Sequence, residues 1–385
     1  MRQREDLVFP MHEYQRRLAG VRRVMAEREL DAMLTTTPEN ICYLTGFDSP
    51  GHYWFQGMVV PMEGEPFTFS RLLETSGVEA GTWVELNYGY HDSDDIPASL
   101  AARLLEAGLA ASRIGFEQDC WFFTASQQQR LVHSLPTTEF VDASGLIEEL
   151  RLVKSDLEVE QIRRAASAAA AGMRAGIDAV AAGRTEDDVA AELTAGLIRG
   201  GSHWPSIMPF IASGERGAIG HATWKGRVIQ PHDSVFLEVG GCRNRYHAAM
   251  MRTVVVGRAD PDLKRAFDVV LESFDAAMDA IKPGVPAGEV DRVSRAVIAG
   301  AGFGDNQASR TAYSIGIAVP PDWGEGQILS MKPGEGRPLQ TNMTFHLLPW
   351  VQIPGKGGVG CTETVRVTAT GCERLTDFPR ELFEA

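Results

Sequence analysis

Two apolar stretches in the middle of the chain, SVFLEVGG and YHAAMMRTVVVG, are separated only by CRNR. Each is long enough for a strand, and the short polar break between them reads as a hairpin turn. In the first stretch Val235, Leu237 and Val239 share one face, with Phe236 and Glu238 on the other. Both faces are apolar, so the pair must be covered on both sides. A carboxylate inside such a strand is costly unless it is paired or used. In the second stretch His247, Ala249, Met251 and Thr253 share a face, and His247 could face Glu238 across the hairpin. Just upstream, His221 stands in a glycine-rich polar loop, GERGAIGHATWKG.

The 385 residues are enough for two domains. Before residue 150, helical and strand patterns alternate. MHEYQRRLAGVRRVMAERELDAML has helix spacing and runs into a short strand. FTFSRLL, IGFEQ and EFVDAS read as strands, with SLAARLLEAG as a helix between them. This order predicts a small α/β domain over residues 1–152. Residues 153–385 then form a second domain. It opens on a long helix whose start is marked by the capping box of Ser155 and Glu158, with Gly183 able to close it. Thr185 with Asp188 caps the next helix, which stops at Gly200 and Gly201.

AVAAGRTEDDVAAELTAGLIRGG resembles AIKPGVPAGEVDRVSRAVIAGAG, with Gly183 matching Gly284 and Val189 matching Val290. Each piece reads as helix, tight turn, helix and glycine stop, and a strand-rich region follows each. Two such halves predict a pseudo-twofold domain with its site where the halves meet. Two capped helices that merely look alike would give the same pattern.

Composition excludes several classes. A formal charge of -14 opposes nucleic-acid binding. No apolar run approaches the length of a membrane span. The start, MRQREDLVFPMHEYQRRL, lacks an apolar signal core. Five cysteines without a CxxC pair suit reduced thiols. The expectation is a soluble, cytoplasmic protein.

Further candidates lie near the C-terminus. TNMTFHLLPWV places Thr344, His346 and Leu348 on one face. GGVGCTETVRVTATG places Glu363, Val365 and Val367 on one face and Thr362, Thr364 and Arg366 on the other. RTAYSIGIAVPPDWGEG carries Tyr313, Asp322, Trp323 and Glu325 in a loop rich in glycine and proline. An acidic and aromatic loop suits a compact cation through charge pairing and cation–π contact, and it could equally be a solvated turn.

Taken together these segments resemble the creatinase, prolidase and methionine-aminopeptidase family, whose catalytic domain has the pita-bread fold. ENICYLTGF resembles the amino-terminal domain of that family, and LRLVKSDLEVEQIRRAA resembles the helix that opens its catalytic domain. The resemblance implies an α+β chain, with a small α/β domain before a pseudo-twofold catalytic one. Most members hold two metal ions. Their ligand positions fall here on Glu238, Ala249, Tyr313, Leu348 and Thr362, the last beside Glu363. Alanine, leucine and tyrosine are poor replacements for such ligands, so no metal and no other cofactor are expected.

Among metal-free branches, FLEVGGCRNRYH, SIGIAVPPDWGEG and FHLLP with GVGCTETVRVT look more like ectoine hydrolases than creatinases. The resemblance implies hydrolysis of a C–N bond in a small zwitterionic cyclic amidine, with ectoine opening to N-acetyl-diaminobutyrate. Catalytic roles then fall on His221, Glu238 and Glu363, and substrate contacts on Tyr313, His346, Asp322 and Trp323. In related enzymes a partner subunit's amino-terminal domain caps the pocket. That makes His52, Tyr53 and Trp54 in SPGHYWFQ lid candidates in an expected homodimer, where they could equally form a hydrophobic loop buried at the dimer interface. The alternatives are a creatinase-like amidinohydrolase, an Xaa-Pro peptidase and a non-catalytic ligand-binding homologue. Ala249, where an acidic nucleophile could have stood, favours the last.

Overall fold

The structure, a computed structural model, describes residues 1–304, 307 and 309–385. Its contacts divide into two compact units, Met1–Arg151 and Leu152–Ala385.

The first unit is built on a six-stranded sheet. Its order is Leu86–Tyr90, Phe67–Arg71, Gln56–Pro61, Ala32–Thr35, Arg113–Phe116 and Glu139–Asp142. The helix Met11–Glu27 leads into the strand Ala32–Thr35, as the spacing predicts. FTFSR, IGF and EFVD lie in strands, and SLAARLLE lies in the helix Ile96–Glu106. The strand Gln56–Pro61 was not anticipated. It pairs antiparallel with both neighbours, which makes the sheet mixed rather than purely βαβ. All but its last residue are buried, so it lacks the two-residue alternation that marks a half-exposed strand.

The second unit repeats itself. The helix Asp156–Ala179 starts at the Ser155–Glu158 capping box, and Glu186–Arg199 starts at the Thr185–Asp188 box. The pair Pro261–Ala280 and Ala287–Gly300 follows later. Gly183 and Gly284 both take φ of 86°, a left-handed turn conformation that favours glycine. Around them the hydrogen bonds match. Gly183 donates to Ile229 O at 2.9 Å and Gly284 to Leu339 O at 2.8 Å. Glu186 donates to Arg227 O and Ala287 to Arg337 O, both at 3.0 Å. The two glycine turns therefore perform the same task in each half. Each ties a helix pair to the segment just before a sheet.

Those sheets carry the candidate chemistry. One has the order Phe383–Glu384, Tyr246–Val255, Ser234–Arg243 and Phe210–Ser213. The other has the order Ser330–Met331, Ala312–Ser314, Thr344–Leu347, Glu363–Val367 and Cys372–Arg374. A bridge between Met251 and Thr362 joins them. The long helix lies directly on the first sheet because both surfaces are small there. Ala165, Ala168 and Ala169 are fully buried. A Cβ placed on Gly241 would come within 2.0 Å of Ala165 O and 2.9 Å of Ala169 N. These contacts are backbone atoms and cannot rotate away.

Gly241→Ala is therefore expected to cost about 3 kcal/mol or more, at the upper end of overpacking effects. Urea unfolding checks it, through a lowered midpoint at unchanged slope.

Candidate functional site

The register of the first sheet sets Glu238 opposite Met251, near the bridge to the second sheet. In the second sheet Tyr313 pairs with His346 across adjacent strands, and His346 pairs with Thr364. Between the sheets lies a cavity of about 410 Å³. Phe210, Phe236, Met251, Leu348 and Trp350 form its apolar wall. His221, Glu238, Arg310, Tyr313 and Asp322 bring the polar groups, and Trp323 adds an indole. Two larger hollows, of about 520 and 710 Å³, open elsewhere among charged surface side chains such as Arg227 and Asp233, which pair with each other.

Glu238 is only 9% exposed. Burial, reinforced by the negative charge of Asp322, pushes its carboxyl up to about 8. It is therefore mostly protonated at neutral pH. His346 lies behind the wall rather than on it and is fully buried. Burial, then the charge of Arg310, pushes its imidazole down to about 3, so it is neutral. Its Nδ1 lies 2.8 Å from Tyr313 Oη and its Nε2 2.6 Å from Thr362 Oγ1. Trp323 Nε1 donates to Tyr313 Oη at 2.6 Å. Burial, with the negative charges of Glu238 and Asp322, holds the Tyr313 phenol well above its ordinary value. The cavity thus has a fixed phenol whose oxygen already accepts one hydrogen bond.

The loop that follows Tyr313 is seated by small residues and a buried ion pair. Trp323 lies on Gly240, where a Cβ would come within 2.7 Å of its ring, and Gly324 lies equally close to Tyr313. Lys154 Nζ donates to Glu325 Oε2 at 2.7 Å, with both side chains 1% exposed. His221 occupies the exposed rim. Its ring stacks on Phe210 at 5.2 Å between centroids, and its φ of 60° is uncommon for a residue other than glycine.

Of the residues predicted from sequence, His221, Glu238, Tyr313, Asp322 and Trp323 come together at this cavity. Glu363 does not. The strand pleat sets Thr362 against His346 and Thr364 against the Ala249 backbone, and turns Glu363 to the opposite face. Glu363 Oε1 accepts from Arg252 Nη2 at 2.6 Å, Oε2 accepts from Thr376, and the side chain is fully buried. His247 sits opposite Cys242 rather than Glu238. It bonds Arg245 O and accepts from Ser206 N, a structural arrangement. Tyr53 and Trp54 belong to the first unit, where Tyr53 is 66% exposed and the Trp54 ring lies against Arg71. Sequence reasoning missed Arg310 and the aromatic wall. Arg310 stands only three positions before Tyr313, within the same quoted segment, but a single arginine carries no spacing signal.

The donor set does not fit a pair of divalent ions. Ala249 is buried in an apolar cluster with Tyr313, Ile315 and Trp323, and Leu348 packs against that cluster. Ala249 N and O are both engaged by Thr364 Oγ1. Among the described residues no three His, Cys, Asp or Glu side chains gather as a metal site. No described helix is long and apolar enough to cross a membrane.

Comparison with known proteins gives the following. The family model of metallopeptidase family M24 matches residues 160–369. That of the creatinase/prolidase N-terminal domain matches residues 17–153. The chain is 32% identical to an ectoine hydrolase of Halomonas elongata, over 98% of both chains. It is 31% identical to an uncharacterized hydrolase/peptidase of Sinorhizobium fredii, again over 98% of both. The solved dipeptidase PepE from Mycobacterium ulcerans superposes with a TM-score of 0.82 at 26% identity, covering 98% of this chain and 99% of that one.

Two substitutions separate the roles of the two buried glutamates. Glu363→Gln leaves Arg252 without its carboxylate and is expected to cost about 3 kcal/mol, as broken buried pairs do. Glu238 behaves oppositely. Its folded value lies above the unfolded one, so its ionisation opposes folding as pH rises from about 5 through 8. The melting temperature of Glu238→Gln should gain on the parent chain across that window and level off above it.

Proposed function

The chain belongs to metallopeptidase family M24 and carries a creatinase/prolidase amino-terminal domain, and from that premise we propose that it hydrolyses a C–N bond in a small cyclic amidine without metal, ectoine being the foremost substrate. The observation that carries the reading is Glu238. It is a buried carboxyl set among aromatic rings, a site for a flat cation. The likeness to the Halomonas elongata ectoine hydrolase over nearly the whole chain supports the substrate.

In this reading the amidinium binds with an N–H on Glu238, which gives up its proton as the cation arrives. His221 at the rim takes a proton from water. The water oxygen adds to the amidine carbon and makes a tetrahedral centre. Tyr313 donates to that oxygen when His346 carries its proton on Nδ1. Collapse breaks one ring C–N bond as His221 returns its proton to the leaving nitrogen, and the hydroxyl proton of the tetrahedral centre passes to the Glu238 carboxylate as the carbonyl forms, which restores the protonated acid. The product has one amide and one free amine. No acidic nucleophile is required, which suits alanine at position 249. Glu363 acts through the fold, and Asp322 adds negative charge at the mouth. Tyr53, exposed in the amino-terminal unit, is available for the lid role that a second copy of the chain would give it.

A peptidase, as the solved Mycobacterium ulcerans neighbour is named, would need its metal pair where Ala249 and Leu348 stand. A ligand-binding homologue without turnover is favoured by Ala249 alone.

The test mixes chelator-treated protein with ectoine and follows the ring-opened product by mass spectrometry. Turnover that survives chelation and is lost, by at least about a hundredfold, in Glu238→Gln supports the reading. Absence of product from the parent chain overturns it. Binding has its own signature. A cation favours ionised Glu238, so ectoine affinity should rise with pH and level off above about 8. Isothermal titration with Glu238→Gln should lose that dependence.

A further inference from the structure

We propose that Arg310 is the anion-binding residue of this cavity, so that the site selects small zwitterions by their carboxylate as well as by their cationic group. The inference deepens the amidine-hydrolase reading and rests on it for the identity of the cationic end. Among the described residues that line the cavity, Arg310 is the only arginine or lysine. The other ionisable groups facing the same space are His221, Glu238, Tyr313 and Asp322. A cavity with two acids and one permanent cation is complementary to a ligand of mixed charge rather than to a simple cation.

The guanidinium is presented for this task. Its central carbon stands 4.5 Å from the centre of the Tyr313 ring, a stacked arrangement that keeps its N–H edge open. Gly326 makes room for it, since a Cβ there would lie 2.5 Å from Nη2 and 2.8 Å from Nη1. Ser309, the next residue, lines the same wall, and its hydroxyl is buried with no hydrogen-bond partner among the described residues. A carboxylate accepting from Arg310 would give that orphan donor a partner too. Arg310 and Glu238 flank the same phenol, the one stacked on its ring and the other acting on its charge. A ligand held at both ends would lie across Tyr313 with its reacting carbon near the phenol oxygen. A carboxylate on a planar guanidinium can be bidentate, which fixes orientation as well as charge.

The test uses two ligand pairs. One is ectoine with the same ring lacking its carboxylate, and the other is creatine with N,N-dimethylguanidine. Isothermal titration measures each with the parent chain and with Arg310→Gln, and thermal melting verifies that the variant is folded. The parent chain is expected to bind the carboxylated member of at least one pair roughly tenfold or more tightly. Arg310→Gln should erase that preference, and the member without a carboxylate should bind at least as tightly as to the parent chain, since a positive charge beside its cation has been removed. Gly326→Ala keeps the arginine but displaces its guanidinium, and it should weaken the preference in the same direction if Arg310→Gln does not fold. A preference that survives in both variants, or no preference in either pair, overturns the assignment. An effect confined to the creatine pair upholds Arg310 and removes ectoine. Ring opening of ectoine with the carboxylate preference intact in Arg310→Gln upholds the reaction and removes Arg310.

Discussion

The second unit depends on how its two sheets are joined, and one buried arginine makes the joint. Arg252 donates to Met251 O and Thr362 O at 2.7 and 3.0 Å, to Pro379 O at 2.8 Å and to the Glu363 carboxylate at 2.6 Å. It thereby holds the strand of Glu238 against the strand of Thr362. The Met251–Thr362 bridge follows from that clamp. So does the hydrogen-bonded line from Thr362 through His346 to Tyr313. A charged side chain buried this deeply is tolerated only because its donors meet carbonyl and carboxylate oxygens. The clamp therefore sets the geometry of the cavity without facing it.

The same positions that hold metal in related enzymes are here filled by packing. Ala249 and Leu348, two of the five positions that the resemblance gives to metal ligands, pack in an apolar cluster, and Met251 packs nearby with Phe236 and Trp350. Gly360 allows the approach, since a Cβ there would lie 2.1 Å from Met251 Sδ. At the centre of the cavity stand one buried carboxyl and one phenol with a neutral imidazole behind it, while His221, Arg310 and Asp322 add charge and polarity around them. A carboxylate beside a divalent ion would be held ionised, whereas burial and the charge of Asp322 keep Glu238 mostly protonated at neutral pH.

Stability and function pull differently on the two glutamates. Glu363 is satisfied by Arg252 and Thr376, and its contacts serve the fold. Glu238 carries a burial cost that its neighbours do not offset, and Asp322 adds to it. Unpaid burial of this kind tends to mark sites kept for a ligand, and it distinguishes the two residues more sharply than sequence position does.

Much of the fold was legible in the sequence because its signals are local. The capping boxes at Ser155 and Thr185 and the glycines 183 and 284 act within one turn of chain, so the helices and the repeat could be read directly. The Gln56–Pro61 strand could not, since burial on both faces erases alternation. Residue types also determined that Glu238 sits in an apolar strand and that a metal pair lacks its ligands. Strand pleat assigned the faces of Thr362 and Glu363, but which face meets a cavity is decided by what packs on it. Only the tertiary structure turned Glu363 onto Arg252, a residue 111 positions away. It likewise set Arg310 beside Tyr313 and paired His247 with Cys242 instead of Glu238. The Glu363–Arg252 pair joins two halves distant in sequence, while the Arg310–Tyr313 stack and the Cys242–His247 pairing are close in the chain but depend on side-chain direction and hairpin register, which residue spacing alone leaves open.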